Sequence, residues 1–351
     1  MDLGVFCPVV NNHNVASTNL DTFDPTWELN RDFVKLAEDA GFKFALSQVT
    51  LAGWGGATQH WDRSLESFTL MSALAAVTSK IRLYASVAVL TIPPPIVARM
   101  AVTIDDISDG RFGVNIVSGY NKKQYAQMGL WPGDEFFKTR YDYSSEYVQI
   151  LKELWETGES DFKGEYLQMS NCKLGPLPAH DIEIVCAGAS GRGLDFTARY
   201  GDYSFLMPAG GAEGVRKAND DLLEAGRRHG REVQSYILQM VILADTDEEA
   251  QAKIEHYKDG ADMEALENAL GDALADAAGT TAQRIGMMRE SVFFGLNLIA
   301  GSPETVARQL QEIGEVDGTA GVMLTFDEPM NGLTRFCDEV MPRLEGVATP
   351  A

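Results

Sequence analysis

The chain has 351 residues, 45% hydrophobic and 23% charged, the balance of a folded globular protein long enough for two modest domains or one large barrel. With 51 acidic against 29 basic residues the net charge is −22, a surface that repels nucleic acid and anionic membranes, so neither is expected as a partner. Four scattered cysteines (Cys7, Cys172, Cys186, Cys337) without a CxxC pair read as reduced packing residues, the first residues carry no basic leader pattern, and no run nears the ~20 apolar residues of a membrane span, so a cytoplasmic location is expected.

In chain order, Leu3–Val9 reads as a first strand, and Trp27–Ala40 as a helix with Gly41 at its C-terminal cap. Phe42–Val49 is a second strand, Ser67–Val77 a helix, and Ile81–Leu90 a third strand. Three prolines, 93 to 95, introduce a helix running to about Ser108, and Val114–Val117 is a fourth strand. Arg140–Thr157 reads as a long amphipathic helix opened by Arg140. Then come strand Ile182–Ala187, helix Gly193–Tyr200, strand Tyr203–Leu206, helix Ala212–His229 and strand Tyr236–Ala244. Phe293–Ile299 and Gly321–Phe326 are late strands flanking the helix Ser302–Ile313.

Repeated β–α units with apolar, β-branched strands imply a parallel sheet covered by helices. About eight such units predict an α/β fold of the (β/α)8, or TIM, barrel type, here as one domain over residues 1–351. Two segments are insertions on that scheme. Residues 119–139 are rich in polar and aromatic side chains, and residues 246–291, acidic and Ala-rich, are expected to form a solvated helical excursion or lid.

Barrel active sites lie at the C-terminal ends of the strands. The candidates there are His13 and Asn14; Gln48, Val49 and Thr50; Ser86 to Leu90; Asn115 to Tyr120; Gly188 to Arg192; and Thr325 to Asp327. They include no Ser-His-Asp spacing, no carboxylate pair and no metal-ligand cluster. Neutral donors, aromatics and glycines suit a bound organic cofactor that brings its own reactivity.

Asn115 is the one polar side chain inside the apolar run of the fourth strand. A buried carboxamide needs partners or costs about 1–3 kcal/mol; it is either satisfied by neighbouring backbone or holds a flat heterocycle. Gly188-Ala-Ser-Gly-Arg-Gly joins a strand to a helix, so Ser190 is an N-cap, part of an anion site, or both, with Arg192 or Arg140 adding charge. The spacing fits a single phosphate and lacks the dinucleotide fingerprint. Arg140 clamps a phosphate with Tyr141 or pairs with Asp142 or Glu146. Trp54, followed by two glycines, is a stacking wall or a loop anchor. Asp327 is expected to cap the following helix.

Taken together, Phe44-Ala-Leu-Ser, Glu66-Ser-Phe-Thr-Leu-Met, Pro94-Pro-Ile-Val-Ala-Arg-Met, Arg111-Phe-Gly-Val-Asn, Met128-Gly-Leu-Trp-Pro-Gly-Asp and Arg140-Tyr-Asp-Tyr resemble the luciferase-like flavin monooxygenases. Within them the likeness is greatest to the branch that opens the ring of uracil. The resemblance implies a two-component oxygenase on a bacterial luciferase-like barrel. Reduced FMN would come from a separate flavin reductase, O2 would be co-substrate, and the chain would form a homo-oligomer, at least a dimer. It implies FMN contacts at Val49, Thr50, Asn115, Gln124, Arg140, Tyr141 and Ser190, and an oxygen pocket at Leu46, Ser86, Asn115 and Val117. The implied chemistry is a flavin N5-peroxide attacking an electrophilic carbonyl carbon of a small heterocycle, with Trp54 and Tyr120 facing the substrate.

Five positions depart from the uracil-opening pattern: Thr50 stands for Lys, Ala52 for Arg, Ser86 for Thr, Tyr120 for Trp and Gln124 for Glu. Three of these changes remove charge and two shrink side chains. A larger ring system with a pyrimidine-dione edge fits such a pocket, so a riboflavin lyase that releases the ribityl chain to leave lumichrome stands beside uracil-type ring opening. A sulfonate or sulfone monooxygenase and an F420-linked dehydrogenase are further alternatives. The first wants cationic groups that positions 50 and 52 lack.

Overall fold

The computed structural model describes residues 1–12, 14–119, 121–274, 292–294 and 296–344. His13, Tyr120 and residues 275–291 of the second insertion therefore lie outside the described residues.

The strands in chain order are β1 (Asp2–Phe6), β2 (Phe44–Ser47), β3 (Arg82–Ala88), β4 (Phe112–Val117), the two-residue antiparallel pair β5 (Glu159–Ser160) and β6 (Cys172–Lys173), β7 (Glu183–Cys186), β8 (Tyr203–Leu206), β9 (Gln234–Leu243), β10 (Leu298–Gly301) and β11 (Thr319–Phe326). Eight of them, β1, β2, β3, β4, β7, β8, β9 and β11, pair in that order, all parallel, and β11 returns to β1. The (β/α)8 barrel expected from the sequence is the fold observed.

Helices cover the outside: α1 (Trp27–Asp39), α2 (Ser67–Ala75), α3 (Pro94–Ser108), α4 (Lys122–Ala126), α5 (Phe136–Thr157), α6 (Gly191–Tyr200), α7 (Gly211–Arg228), α8 (Asp247–Asp259), α9 (Met263–Leu274), α10 (Pro303–Gly314) and α11 (Pro329–Arg335). A continuous apolar layer between strands and helices forms the main core, with Phe33, Met71, Phe112 and Tyr147 fully buried. The barrel interior is a second, aromatic core of Phe44, Tyr84, Phe205 and Tyr236, with the Phe44 and Tyr236 rings 4.3 Å apart. Gly113 makes room for it, because a Cβ there would sit 2.5 Å from the Tyr84 ring. Large and small residues must alternate to fill a narrow barrel.

Several boundaries differ from the sequence expectation. β1 stops at Phe6 because Pro8 has no N–H to continue the ladder. The expected strand 293–299 appears as β10, Leu298–Gly301, which pairs with the far half of β9 and stands outside the barrel; the eighth barrel strand is β11. Helix α5 begins at Phe136, so Arg140 lies inside its first turns and does not open it. Where it is described, the second insertion is helical with most of its acidic residues exposed, and one face of it is seated on the barrel. The small residues Ala265, Ala269 and Ala273 recur at helical spacing on α9 and are buried, and the first two share a cluster with Trp54 and Ala16.

Candidate active site

A cavity of about 290 Å³ opens at the C-terminal end of the barrel, where the sequence placed the site. Its floor is made by inward side chains of the strands, among them Leu46, Ser86, Asn115 and Val117. Val49, Thr50 and Trp54 line it from the segment after β2, and Gln124, Arg140 and Tyr141 from α4 and α5. Among the described lining residues Arg140 is the one with a full charge at neutral pH; the Cys186 thiol in the wall is pushed up to about 12 by burial. No cluster of His, Cys, Asp or Glu able to hold a metal occurs among the described residues.

The floor is positioned from outside the barrel. Ser67, in the first turn of α2, donates from its hydroxyl to Ser47 O at 3.0 Å and accepts from Ser86 N at 2.8 Å. That bond fixes the ends of β2 and β3 relative to each other. Arg111, just before β4, donates from its guanidinium to Ala75 O, Thr78 O, Ile81 O and Ser108 O at 2.8–3.1 Å. Four carbonyls from three segments are thereby tied to the start of the strand that carries Asn115. In the resulting register Ser86 pairs with Asn115, and Asn115 with Val185.

Asn115 is 4% exposed, and its Nδ2 donates to Ser86 Oγ at 2.8 Å. Its Oδ1 is shielded from solvent and has no hydrogen-bond partner among the described residues. Of the two readings open at the sequence level, satisfaction by backbone is therefore not what the structure shows. Gln48 Nε2, just past the end of β2, is likewise shielded from solvent without a partner among the described residues, and Gln48 lines the same cavity.

The strand-to-helix turn after β7 places Ser190 at the N-cap of α6, where Oγ accepts from Gly193 N at 3.0 Å and lies 3.5 Å from Tyr141 Oη. Gly188 and Gly193 pack against each other: a Cβ on Gly193 would meet Tyr141 Oη at 2.7 Å and the Gly188 backbone at 2.9 Å. Gly188 and Ala189 line the cavity, whereas Ser190 itself stands behind them. Arg192 is turned away and pairs with Asp142 at 2.7 Å, leaving Arg140 as the cation of the site. Arg140 is 5% exposed, donates to Gly119 O at 3.2 Å and stacks 5.3 Å from the Tyr141 ring centroid, while Asp142 pairs with Arg192 and Glu146 accepts from the N–H groups of Glu165, Tyr166 and Leu167.

The mouth is built by three segments that meet around Trp54. The Trp54 ring stacks on Trp61 at 4.5 Å and on Phe294 at 4.8 Å. Its indole N–H donates to Asp272 Oδ2 at 3.2 Å, which also accepts from Asn121 Nδ2 at 3.0 Å, and Asn268 Nδ2 holds Trp54 O at 2.8 Å. Trp54 is thus both a buried anchor and a cavity wall. Gln124 Oε1 accepts from Leu51 N at 3.0 Å and Lys123 Nζ donates to Gly53 O at 3.0 Å, so α4 clamps the same loop. Asp272, Asn121 and Phe294 carried no sequence signal, because Asp272 and Phe294 meet Trp54 across more than two hundred residues and Asn121 reaches the cluster only through Asp272, 151 residues away. Asp327 is not a helix cap: buried, it accepts from Tyr257 Oη at 2.8 Å and pairs with Lys253 at 2.6 Å, while Glu328 occupies the cap position.

A family profile described as luciferase-like monooxygenase matches residues 1–319. The pyrimidine monooxygenase RutA of a Bradyrhizobium species is 52% identical over 347 residues, spanning 97% of this chain and 96% of the relative. RutA of Pseudomonas syringae pv. syringae is 49% identical over 345 residues, with 97% and 96% covered. Among solved structures, a riboflavin lyase in complex with modified FMN and riboflavin superposes with a TM-score of 0.82 at 20% identity, covering 99% of this chain and 92% of that one. The EDTA monooxygenase of Chelativorans sp. BNC1 gives 0.84 at 17%, covering 100% and 95%. The protein is a monooxygenase of the luciferase-like family.

Proposed function

We propose that this enzyme binds reduced FMN, delivered by a separate flavin reductase, and oxygenates a heterocycle that presents a pyrimidine-dione edge, as in opening of the uracil ring. The observation that carries the reading is the unpartnered Asn115 Oδ1 in the floor of a cavity whose described lining holds no carboxylate, imidazole or amine. A buried acceptor left open costs stability unless a ligand's N–H supplies the missing bond. The identity of about half with pyrimidine monooxygenases over nearly the whole chain supports the substrate class.

The residues present fit a flavin mononucleotide. The turn at Gly188 to Ser190 leads into the N-terminus of α6, where backbone N–H groups favour an anion, and Arg140 with Tyr141 adds a cation and a hydroxyl on the facing wall. These groups would hold the phosphate, and Val49, Thr50, Gln124 and Asn115 would hold the ring system. Reduced FMN, when bound, supplies the electrons that activate O2. The protein's own part is positioning and exclusion. Ser86 and Asn115 orient the reacting edge through their mutual hydrogen bond, and the apolar Leu46 and Val117 beside them keep water from the floor. The proposal includes a cytoplasmic location and a homo-oligomer of at least two copies.

A second reading, cleavage of the ribityl chain of riboflavin, is favoured by the neutral side chains at positions 50 and 124 of the cavity wall. Thr50 and Gln124 bring no charge, and Gln124 Oε1 is already engaged by Leu51 N. Turnover of uracil and of riboflavin with a flavin reductase, in air and under anaerobic conditions, tests both. Oxygen-dependent loss of one of them selects the substrate, and loss of neither in air overturns the proposal.

A further inference from the structure

Gln48 follows directly on Ser47, whose register partner is Ala85, so Gln48 stands level with Ser86, and Ser86 pairs with Asn115. Three polar side chains thus form one row across β2, β3 and β4, with strands about 4.8 Å apart, and all three line the cavity. The hydrogen bond between Asn115 Nδ2 and Ser86 Oγ uses one donor and one acceptor. What remains is directional: Gln48 Nε2 as a donor, the Ser86 hydroxyl proton as a second donor, and Asn115 Oδ1 as an acceptor. Both carboxamide atoms are shielded from solvent and without partners among the described residues. Two such atoms in one row each carry a penalty that packing alone does not repay.

We infer that this row recognises a cyclic-amide edge in one orientation. The ring carbonyl lies on the β2 side and accepts from Gln48 Nε2 and Ser86 Oγ. The adjacent ring N–H lies on the β4 side and donates to Asn115 Oδ1. The short Ser86 between two longer carboxamides leaves space for that edge. Gln48 is then a recognition residue of the site. The inference rests on the reading of this cavity as the flavin-oxygenase site, in which both the pyrimidine-dione substrate and the flavin ring system present such an edge.

The test uses the full chain with Gln48→Met, which keeps length but removes the donor, and Gln48→Glu, which puts an acceptor in its place. Each protein is titrated separately with oxidised FMN and with uracil, and the wild type also with the ring-N-methylated form of each ligand. For the ligand that sits on the row, Kd should rise roughly tenfold in Gln48→Met, more in Gln48→Glu, and by a similar factor on N-methylation with the wild type, as expected for one lost hydrogen bond. The ligand that shifts identifies the source of the edge. Should Gln48 variants fail to fold, N-methylation alone decides: an unchanged Kd for both ligands overturns the inference. So does binding of both within about twofold of wild type in folded variants, or a wild type that binds neither. Shifted binding without oxygen-dependent turnover would sink the functional reading and leave the row standing; normal turnover with unshifted binding would do the reverse.

Discussion

Replacing Asn115 by Ala should separate stability from activity. The substitution keeps the Cβ and the backbone, so the pairing of β4 with β3 and β7 is untouched. It removes the 2.8 Å bond to Ser86 Oγ, worth about 1 kcal/mol. It also removes the unpartnered Oδ1, whose burial costs about 1–3 kcal/mol. The two contributions oppose each other, so the variant should unfold within about 1 kcal/mol of wild type or be slightly more stable, a melting shift of no more than about 4 °C. Loss of a preorganised group at the reacting edge should lower turnover by about 100-fold or more. The assay pairs a thermal melt with oxygen uptake in the presence of a flavin reductase and the substrate. A melting point lower by ~10 °C would make Asn115 a structural residue. Less than about a tenfold loss of turnover in a normally folded variant would remove it from the chemistry.

Other parts of the site make separate predictions. Gly193→Ala would bring a Cβ to 2.7 Å from Tyr141 Oη and 2.9 Å from the Gly188 backbone; it should cost about 1–3 kcal/mol and weaken FMN binding, and unaltered FMN affinity in fluorescence titration would contradict the assigned phosphate end. Asp272→Ala releases both Trp54 Nε1 and Asn121 Nδ2, so KM should rise more than kcat falls, and equal loss in both at an unchanged melting point would count against a role in shaping the mouth. Burial would raise the Asp262 carboxyl, but bonds from Thr58 N, Thr58 Oγ1 and Ala265 N outweigh it and hold its pKa below the ordinary value. Its stabilisation is therefore complete above the unfolded carboxylate range near pH ~4 and lost as pH falls through the lower folded value. Asp262→Asn should melt lower at pH 7 and show a shallower acid decline, and parallel acid declines for the two proteins would refute this.

The barrel was legible because its strands and helices repeat on local periods, and a buried polar residue in an apolar strand stands out whatever surrounds it, as Asn115 does. The closing strand was harder. Leu298–Gly301 and Thr319–Phe326 are both short apolar runs, and only the length of β9, which carries β8 on one half and β10 on the other, decides which of the two enters the barrel. Of the mouth only Trp54 was legible, as a wall or anchor, and its partners were not. Trp54 meets Asp272 through a carboxylate that reads locally as one more exposed charge on an acidic helix. The alanines that seat that helix on the loop look like simple helix formers. Asp327 misled for the same reason: a cap and a buried partner of Tyr257 and Lys253 look identical in the sequence, and only the packing of the second insertion tells them apart.

The two ends of the barrel treat polar groups in opposite ways, and that contrast points to the working end without reference to any relative. At the N-terminal end Tyr84 donates to Glu183, Arg82 lies 3.5 Å from the same carboxylate, and Tyr236 donates to Asp2 at 3.3 Å. Burial and the neighbouring Glu183 carboxylate hold the Tyr84 phenol well above its ordinary pKa, so it remains a neutral donor. Both phenols are paired with carboxylates, Arg82 Nη1 makes an ion pair with Glu183 but no hydrogen bond among the described residues, and the group closes the bottom of the aromatic core. At the C-terminal end, the row of Gln48, Ser86 and Asn115 satisfies only one internal bond and leaves a donor and an acceptor open. A fold selected for stability alone would fill those positions as it fills the layer below, with Leu46 and Tyr84. Retaining carboxamides there sacrifices some stability, which is what a site that must receive a polar ring edge requires.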